Sequence, residues 1–377
     1  MKKIRVLHFV SSIGRDGGVM NVIMNLYRNI NRDKIQFDFV YFKEIKSSFE
    51  EEILSYGGRC FKVSRPSLNN IFKFKRELEK ILKDNKEIYK IIHIHEVYLT
   101  NFIYYIAKKN EVNNIITHSH TTMYSDKKSN SIRNRMLCWG LKRHSNNYYA
   151  CSNAAGKFLY GEKYMKAGKV NVINNAIDCE KYKYKEDVRN SIRKEMNLEN
   201  KFVIGHVGRF NEQKNHSYLI DIFYEIKKIK NNAYLMLVGD GPLVKDMKNK
   251  VKELELTESV GFLGKRIDVS ELLQVMDVFV LPSLYEGLPV IGVEAQASGL
   301  PCIISDEVTK EIDITGIKFK SLRESPQKWA KEIIEFENGF VRKNTTRIIK
   351  EKGFDIQVEA KKTEKLYLKI INKKRMS

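Results

Sequence analysis

Short apolar runs bounded by turn-forming residues recur along the chain, and most precede a longer stretch whose apolar residues fall three and four apart. The first pattern reads as a strand buried on both faces, the second as a helix laid on a sheet. The first half carries Arg5 to Val10, Phe37 to Phe42, Arg59 to Val63, Ile91 to His95 and Ile115 to Thr117; the second carries Phe202 to Val207, Val278 to Leu281 and Cys302 to Ile304. Helical faces follow at Val22, Ile23, Leu26 and Ile30, at Ile71, Leu78, Ile81 and Leu82 within Asn70 to Lys83, and at Leu219, Ile222, Phe223 and Ile226. Two further helices are expected at Gln327 to Glu335 and Gln357 to Ile371. Strand and helix alternating throughout predict an α/β chain of doubly wound parallel sheets with right-handed crossovers.

The stretch Asp277 to Ser305 organises the rest. Pro289 stands where a first helical residue belongs, Gly299 where a helix stops, and Pro301 just beyond, so the stretch reads as strand, loop, helix, strand. Glu286 lies in the loop at the carboxyl end of its strand, the edge where open parallel sheets bind ligands. Glu294 lies inside the helix, and Gly287 and Leu288 precede the helix N-terminus, whose positive end attracts anions. A carboxylate for hydroxyls, backbone amides for phosphate and a second carboxylate for hydroxyls form a set that suits a sugar nucleotide.

At 377 residues the chain accommodates two domains, each with its own core, and 42% hydrophobic content argues against disorder. Five cysteines without a C-x-x-C pair point to reduced thiols in a cytoplasm and to neither a zinc ribbon nor a disulfide framework. The opening MKKIRVLHFV imitates a signal peptide, but its apolar run is short and broken by His8, so it reads as the first strand. No apolar stretch approaches the ~18 residues of a membrane span. The net charge is +21, and residues 1 to 175 hold 31 Lys plus Arg against 15 Asp plus Glu, whereas the remainder holds 36 against 31. That asymmetry implies an anionic partner for the first half: a membrane surface, a lipid diphosphate or nucleic acid.

Candidate chemistry in the first half is sparser. Gly17-Gly18 opens a helix, where a phosphate could approach backbone amides, although an ordinary strand-to-helix turn has the same sequence. No G-x-G-x-x-G is present, so the dinucleotide fingerprint is missing. His93 and His95 alternate on a strand, but no third ligand with suitable spacing accompanies them, and a metal is not expected. His118-Ser119-His120 follows a strand end, either in a ligand cleft or as a surface loop. Lys127 to His144 sets Lys127, Lys128, Arg133, Arg135, Lys142 and Arg143 around Ile132, Met136 and Trp139 at helical spacing. Such a helix lies on an anionic bilayer or buries its apolar face in the core. In the second half, Arg209 and Lys214 follow the strand Phe202 to Val207 and form a candidate cationic pair for a diphosphate.

These residues carry a resemblance. Glu286-Gly287-Leu288-Pro289 with Glu294-Ala295 resembles the E-x7-E signature of retaining glycosyltransferases of the two-domain GT-B architecture, family 4 in particular. Arg209 and Lys214 after Gly205-His206-Val207-Gly208 resemble that family's G-R-x4-K motif. Tyr148 to Ser152 with Asn153 onward, Val170 to Asp178, Leu235 to Pro242 and Val260 to Gly264 are similar to further family stretches, which implies strands at Tyr148 to Ser152 and Leu235 to Val238 and a crossover into the second domain at Val170 to Asp178. The resemblance implies two Rossmann-like domains facing each other across a cleft: 1–177 for the acceptor, 178–355 for the nucleotide sugar, and a helix in 356–377 packing back towards the first. It implies that Arg209, Lys214, the Gly287 and Leu288 amides and Gly17-Gly18 hold the donor diphosphate, that Glu294 holds the ribose and that Glu286 orients the sugar. His118 would stand near the transferred sugar, with His120 its competitor on the acceptor side.

No metal and no cofactor are implied, because cleft-facing loops carry no D-x-D and protein cations can serve instead. The acceptor would attack on the leaving-group face, a donor phosphate oxygen taking its proton. The implied partners are a UDP-linked sugar, a free or lipid-linked saccharide and an anionic membrane surface, without nucleic acid. The implied setting is capsule or exopolysaccharide assembly by a cytoplasmic enzyme peripheral to the inner face of the membrane. Two rivals stay open. A GT-B epimerase, hydrolase or phosphorylase would release sugar without an acceptor, and a nucleic-acid binder would hold DNA with little help from Arg209 and Lys214.

Overall fold

The computed structural model describes residues 3–15, 17–67, 69–125, 128–337 and 340–372. Two units divide the chain: 1–176 with 356–377, and 177–355.

In the first unit seven parallel strands are ordered β3-β2-β1-β4-β5-β6-β7, with β1 Ile4–Phe9, β2 Ile35–Tyr41, β3 Cys60–Lys62, β4 Tyr89–Ile94, β5 Asn114–Ser119, β6 Asn147–Ala150 and β7 Val170–Val172. Successive residues point to opposite faces, and both faces are covered, which is why the runs read as continuously apolar. Val6, Ile91, Ile116 and Tyr149 pack with the helices Gly18–Asn29 and Ile356–Asn372. Leu7, Ile92, Ile94 and Ile115 pack on the other side with Ile71–Asp84 and Thr100–Lys109. Phe74, Leu78 and Leu82 form the buried stripe of Ile71–Asp84, whereas the expected Ile71 and Ile81 are only partly buried.

The second unit has six parallel strands ordered β10-β9-β8-β11-β12-β13: β8 Phe202–Val207, β9 Ala233–Val238, β10 Val260–Phe262, β11 Val278–Leu281, β12 Cys302–Ser305 and β13 Lys318–Lys320. Strand order reverses between β8 and β11, so their carboxyl ends flank the crevice typical of ligand sites in such sheets. Asp277, just before β11, accepts from Arg193 at 3.1 Å and from the Val203 backbone at 2.7 Å, and is ion-paired with Arg189 as well. These bonds fix β11 beside β8. Gln296, fully buried, donates to the Gly292 and Ile312 carbonyls and accepts from Ile314 and Thr315, which holds the segment leading into β13. Gly239 has φ +140, and a Cβ there would stand 2.0 Å from the Gly208 oxygen, so the backbones beyond β8 and β9 meet only because it is glycine.

Three sequence expectations change. Pro289 is the N-cap and Val290–Ala297 the helix, one residue later than read. Strand β5 runs on through His118 to Ser119, so His118 sits in the sheet and not in a loop. The basic stretch is two helices, Lys128–Leu137 and Leu141–His144, broken at Gly140 with φ +79; Lys127 lies outside the described residues. Leu141 is core, but the three apolar side chains expected on one face are not: Ile132, Met136 and Trp139 are 64%, 71% and 83% exposed, beside the exposed Lys128, Arg133, Arg135, Lys142 and Arg143. Among the described residues no helix is long and apolar enough to cross a membrane.

The charge asymmetry sharpens once the C-terminal helix is counted with its unit. The first unit's sequence holds 38 Lys plus Arg against 17 Asp plus Glu, net +21, and the second holds 29 against 29, net zero.

Candidate active site

The loop after β8 supplies the cations. Asn211 accepts from the Lys214 backbone N–H at 3.3 Å and caps a single 3-10 turn, Glu212–Lys214; Asn215, left-handed at φ 53, then starts the helix His216–Ile229. This turn carries Lys214 towards the loop after β11. There its Nζ donates to Glu286 Oε1 at 2.6 Å. Ser283 Oγ donates to the same oxygen at 3.1 Å, and Gln213 Nε2 donates to Oε2 at 3.2 Å and to the Tyr285 carbonyl at 3.0 Å. The Leu284 N–H to Gln213 oxygen bond, 2.8 Å, ties the two loops at the backbone. Glu286 is buried, as are Gly287 and Leu288 just before the helix Val290–Ala297.

Arg209 does not join this knot. It is exposed, and among the described residues its side chain makes no hydrogen bond or ion pair. The structure thus couples Lys214 to Glu286 and leaves Arg209 as a separate cation on the same loop, where the sequence suggested a pair acting together. Glu294 is half-buried and accepts from Tyr182 Oη at 2.7 Å. Burial pushes its carboxyl above the usual range, while the Tyr182 bond and the Lys181 charge pull the other way.

Beneath the loop lie two histidines that the sequence reading passed over. His206 donates Nδ1–H to the Val280 carbonyl at 2.8 Å, and His216 stacks on Phe210 with ring centres 3.9 Å apart. Burial lowers them to about 3 and about 2, and Lys214 adds to both shifts. Gly208 is confined by the same groups, because a Cβ there would stand 2.9 Å from His206 Nε2.

In the first unit, His8, His93, His95, His118 and His120 come together at the carboxyl ends of β1, β4 and β5. The β1/β4 register sets His8 opposite His93, and the imidazoles stack with centres 4.0 to 5.5 Å apart. Two groups of three, His8/His93/His95 and His95/His118/His120, have ligand-type atoms within 4.8 Å of one another. The sequence argument that no third ligand accompanies His93 and His95 is therefore wrong, because neighbouring strands supply it. Several facing nitrogens are already bonded to one another: His8 Nδ1 to His95 Nε2 at 3.0 Å, His95 Nδ1 to His120 Nε2 at 2.8 Å, and His93 Nε2 to His118 Nδ1 at 3.1 Å. Burial is the main cause lowering all five, with His8 and His120 at about 3, so the cluster is neutral at pH 7.

Gly17 is the N-cap of Gly18–Asn29 with an ordinary φ of −96, and a Cβ added to Gly18 would meet nothing within 4 Å. Neither conformation nor internal packing requires glycine at 18. Glu96, following His95, is a half-buried carboxyl raised by burial, with Ser11 and Tyr98 lowering it; its position after β4 was the only sequence signal for it.

Comparison with known proteins follows the same division. The family model for glycosyltransferase family 4 matches residues 16–181, and that for group 1 glycosyl transferases matches 188–353. EpsF of Bacillus subtilis, assigned as a glycosyltransferase, is 36% identical over 334 residues, 87% of this chain and 86% of that protein. The UDP-Gal:alpha-D-GlcNAc-diphosphoundecaprenol alpha-1,3-galactosyltransferase of Escherichia coli is 33% identical over 241 residues, 61% of this chain and 60% of its own. Among solved structures, HepE of Anabaena in complex with UDP and glucose superposes with a TM-score of 0.79 at 18% identity, covering 97% of this chain and 99% of that one.

Proposed function

The chain belongs to the family 4, group 1 glycosyltransferases and has the GT-B fold, and we propose that it moves a hexose, with retention of configuration, from a UDP-sugar to a lipid-linked saccharide in capsular or exopolysaccharide assembly. One observation carries the site: Lys214 and Glu286, a cation and a carboxylate from different loops, meet at 2.6 Å at the switch point of the second sheet. The bond broken in transfer joins a sugar carbon to a phosphate oxygen, so groups suited to phosphate and to sugar hydroxyls must be neighbours. In this reading Lys214 and Arg209 hold the diphosphate, the Gly287 and Leu288 segment meets it at the helix N-terminus, Glu286 binds sugar hydroxyls and Glu294 binds the ribose. Gly17-Gly18 leaves room for a phosphate, and His118 contacts a sugar hydroxyl, with His120 on the acceptor side.

The acceptor hydroxyl attacks the anomeric carbon as the bond to the β-phosphate breaks. The electron pair leaves on the phosphate oxygen, where the cations stabilise it, and the acceptor's proton passes to a phosphate oxygen. Protein cations serve where other transferases use a metal, and no cofactor is needed.

A UDP donor is supported by the names of the Escherichia coli relative and of the HepE complex. A lipid-linked acceptor at an anionic membrane is supported by that relative's name, by the +21 charge of the first unit and by the exposed Ile132, Met136 and Trp139 among basic residues. The test is a thermal-shift panel of nucleotide sugars, followed by proton NMR of the product's anomeric signal. One UDP-sugar raising the melting temperature, with the donor configuration kept in the product, supports the reading. An inverted product, or free sugar released equally well without acceptor, defeats it.

A further inference from the structure

The imidazole cluster is more than a set of buried rings, because its hydrogen bonds have a direction. His93 Nε2 is bonded to His118 Nδ1 at 3.1 Å, and His93 Nδ1 to the hydroxyl of Tyr367 at 2.7 Å. Tyr367 lies on the helix Ile356–Asn372, is buried, and has no other hydrogen-bond partner among the described residues. At the other end, His118 Nε2 is buried without a partner. Burial keeps both imidazoles neutral, so each carries one ring hydrogen.

Only two arrangements of the hydrogens satisfy both bonds. In one, Tyr367 donates to His93 Nδ1, His93 donates from Nε2 to His118 Nδ1, and the His118 hydrogen is left on Nε2; one buried donor is unmet. In the other, every bond is reversed, which strands the Tyr367 O–H as a donor and His118 Nε2 as an acceptor. The first leaves one fewer polar group without a partner and is therefore preferred.

We propose that Tyr367 is a positioning residue which, acting through His93, fixes His118 as the Nε2–H tautomer, so that a sugar hydroxyl that displaces the packing over this buried nitrogen meets a hydrogen-bond donor and not a base. The proposal rests on the reading of His118 as a sugar contact. It assigns the C-terminal helix a role in the site besides packing: the helix delivers the hydroxyl that orients the relay. Among the described residues the second relay, His8–His95–His120, has no such anchor; its far end, His8 Nε2, is buried and unpartnered.

The test uses full-length, tag-free protein labelled with 15N-histidine. Long-range 1H–15N spectra distinguish a protonated from a bare ring nitrogen, and His118→Gln assigns the signals. The hydrogen of His118 is expected on Nε2. Tyr367→Phe removes the anchor, after which either tautomer strands one donor and one acceptor, so the two populations become comparable. With the productive form near half, kcat/KM for transfer falls about twofold while UDP binding is unchanged. Tyr149→Phe, a neighbouring buried ring whose hydroxyl has no partner, leaves the spectrum as it was. A His118 hydrogen on Nδ1, or identical spectra for Tyr367→Phe and the parent chain, overturns the proposal. So does stoichiometric Co2+ uptake with visible d–d absorption that His118→Gln abolishes, since the nitrogens would then serve a metal. Full transfer activity in His118→Gln would sink the sugar contact itself, a failure seen in kinetics and separate from the tautomer result.

Discussion

Replacing Glu286 by Gln separates the two tasks assigned to the Lys214–Glu286 knot. The amide keeps the shape of the carboxylate and can still bond Ser283 and Gln213, but Lys214 loses its counter-charge. The pair is largely shielded, with side chains 14% and 10% exposed, so it is not a solvated surface contact of negligible worth. At 2.6 Å and an effective dielectric near 20, the gross attraction is about 6 kcal/mol. Desolvation of both ions offsets most of it. If roughly 1 kcal/mol remains, removing it frees Lys214 for a phosphate and tightens UDP binding about fivefold. Losing the acid that orients the sugar should lower transfer about 100- to 1000-fold, by analogy with removal of one preorganised polar group from a transition-state site. Calorimetric titration with UDP and a chromatographic transfer assay read the two effects, and they are expected to move in opposite directions. Lys214→Met serves as control and should weaken both. If Glu286→Gln weakens UDP as much as Lys214→Met does, the division of labour between phosphate and sugar is refuted.

Acid lability should follow from His206 and His216. Folded values of about 3 and about 2 against an ordinary 6.5 mean that below pH 6.5 the unfolded chain takes up protons the folded one refuses, so stability falls as pH falls towards those values. At pH 5 each costs roughly 2 kcal/mol; urea melts at pH 7 and 5 should show the loss and His216→Phe should reduce it, whereas equal midpoints contradict it. Arg193→Ala leaves Asp277 with one fewer partner in a buried network and should destabilise the second unit by about 3 kcal/mol, read in the same melts; a change under about 0.5 kcal/mol would mean the network carries no net stability. Met136→Ser with Trp139→Ser should cut flotation with anionic vesicles at low salt about tenfold, each side chain giving up part of its ~2 kcal/mol of apolar burial; vesicle-independent behaviour of the parent chain would remove the membrane from the account.

Much of the fold was legible because both sheets are parallel and their central strands are buried on both faces, which makes most of those strands plain apolar runs. Val278–Leu281 begins and ends where the run does, and Gly299 stops the intervening helix with φ +66. What the linear pattern could not give depends on strand order. His8 meets His93 because β1 and β4 are neighbours, and His93 meets His118 because β4 and β5 are; no spacing along the chain encodes either. The Lys214–Glu286 contact likewise joins loops 72 residues apart, and Gln213, which shares Glu286, had no signal beyond its place beside Lys214. The helix Lys128–Leu137 ends two residues before Trp139, with Gly140 in the left-handed region just beyond, so helical spacing counted past Leu137 placed Trp139 on a helix face it does not share. Between Ser305 and the strand Lys318–Lys320 the buried Val308, Ile312, Ile314 and Ile317 are scattered and form no apolar run, and Gln296, a buried amide on the preceding helix, bonds the backbone of Ile312, Ile314 and Thr315 there.

The central claim is that the second unit grips a nucleoside diphosphate through cations on the loop after β8. Calorimetric titration of UDP into the parent chain and into Arg209→Ala, Lys214→Ala tests it most directly. Saturable binding of one UDP per chain, weakened at least about 100-fold in the double variant, is expected from the loss of two charge-assisted contacts. Equal affinity in the two proteins, with the variant folded, would contradict it.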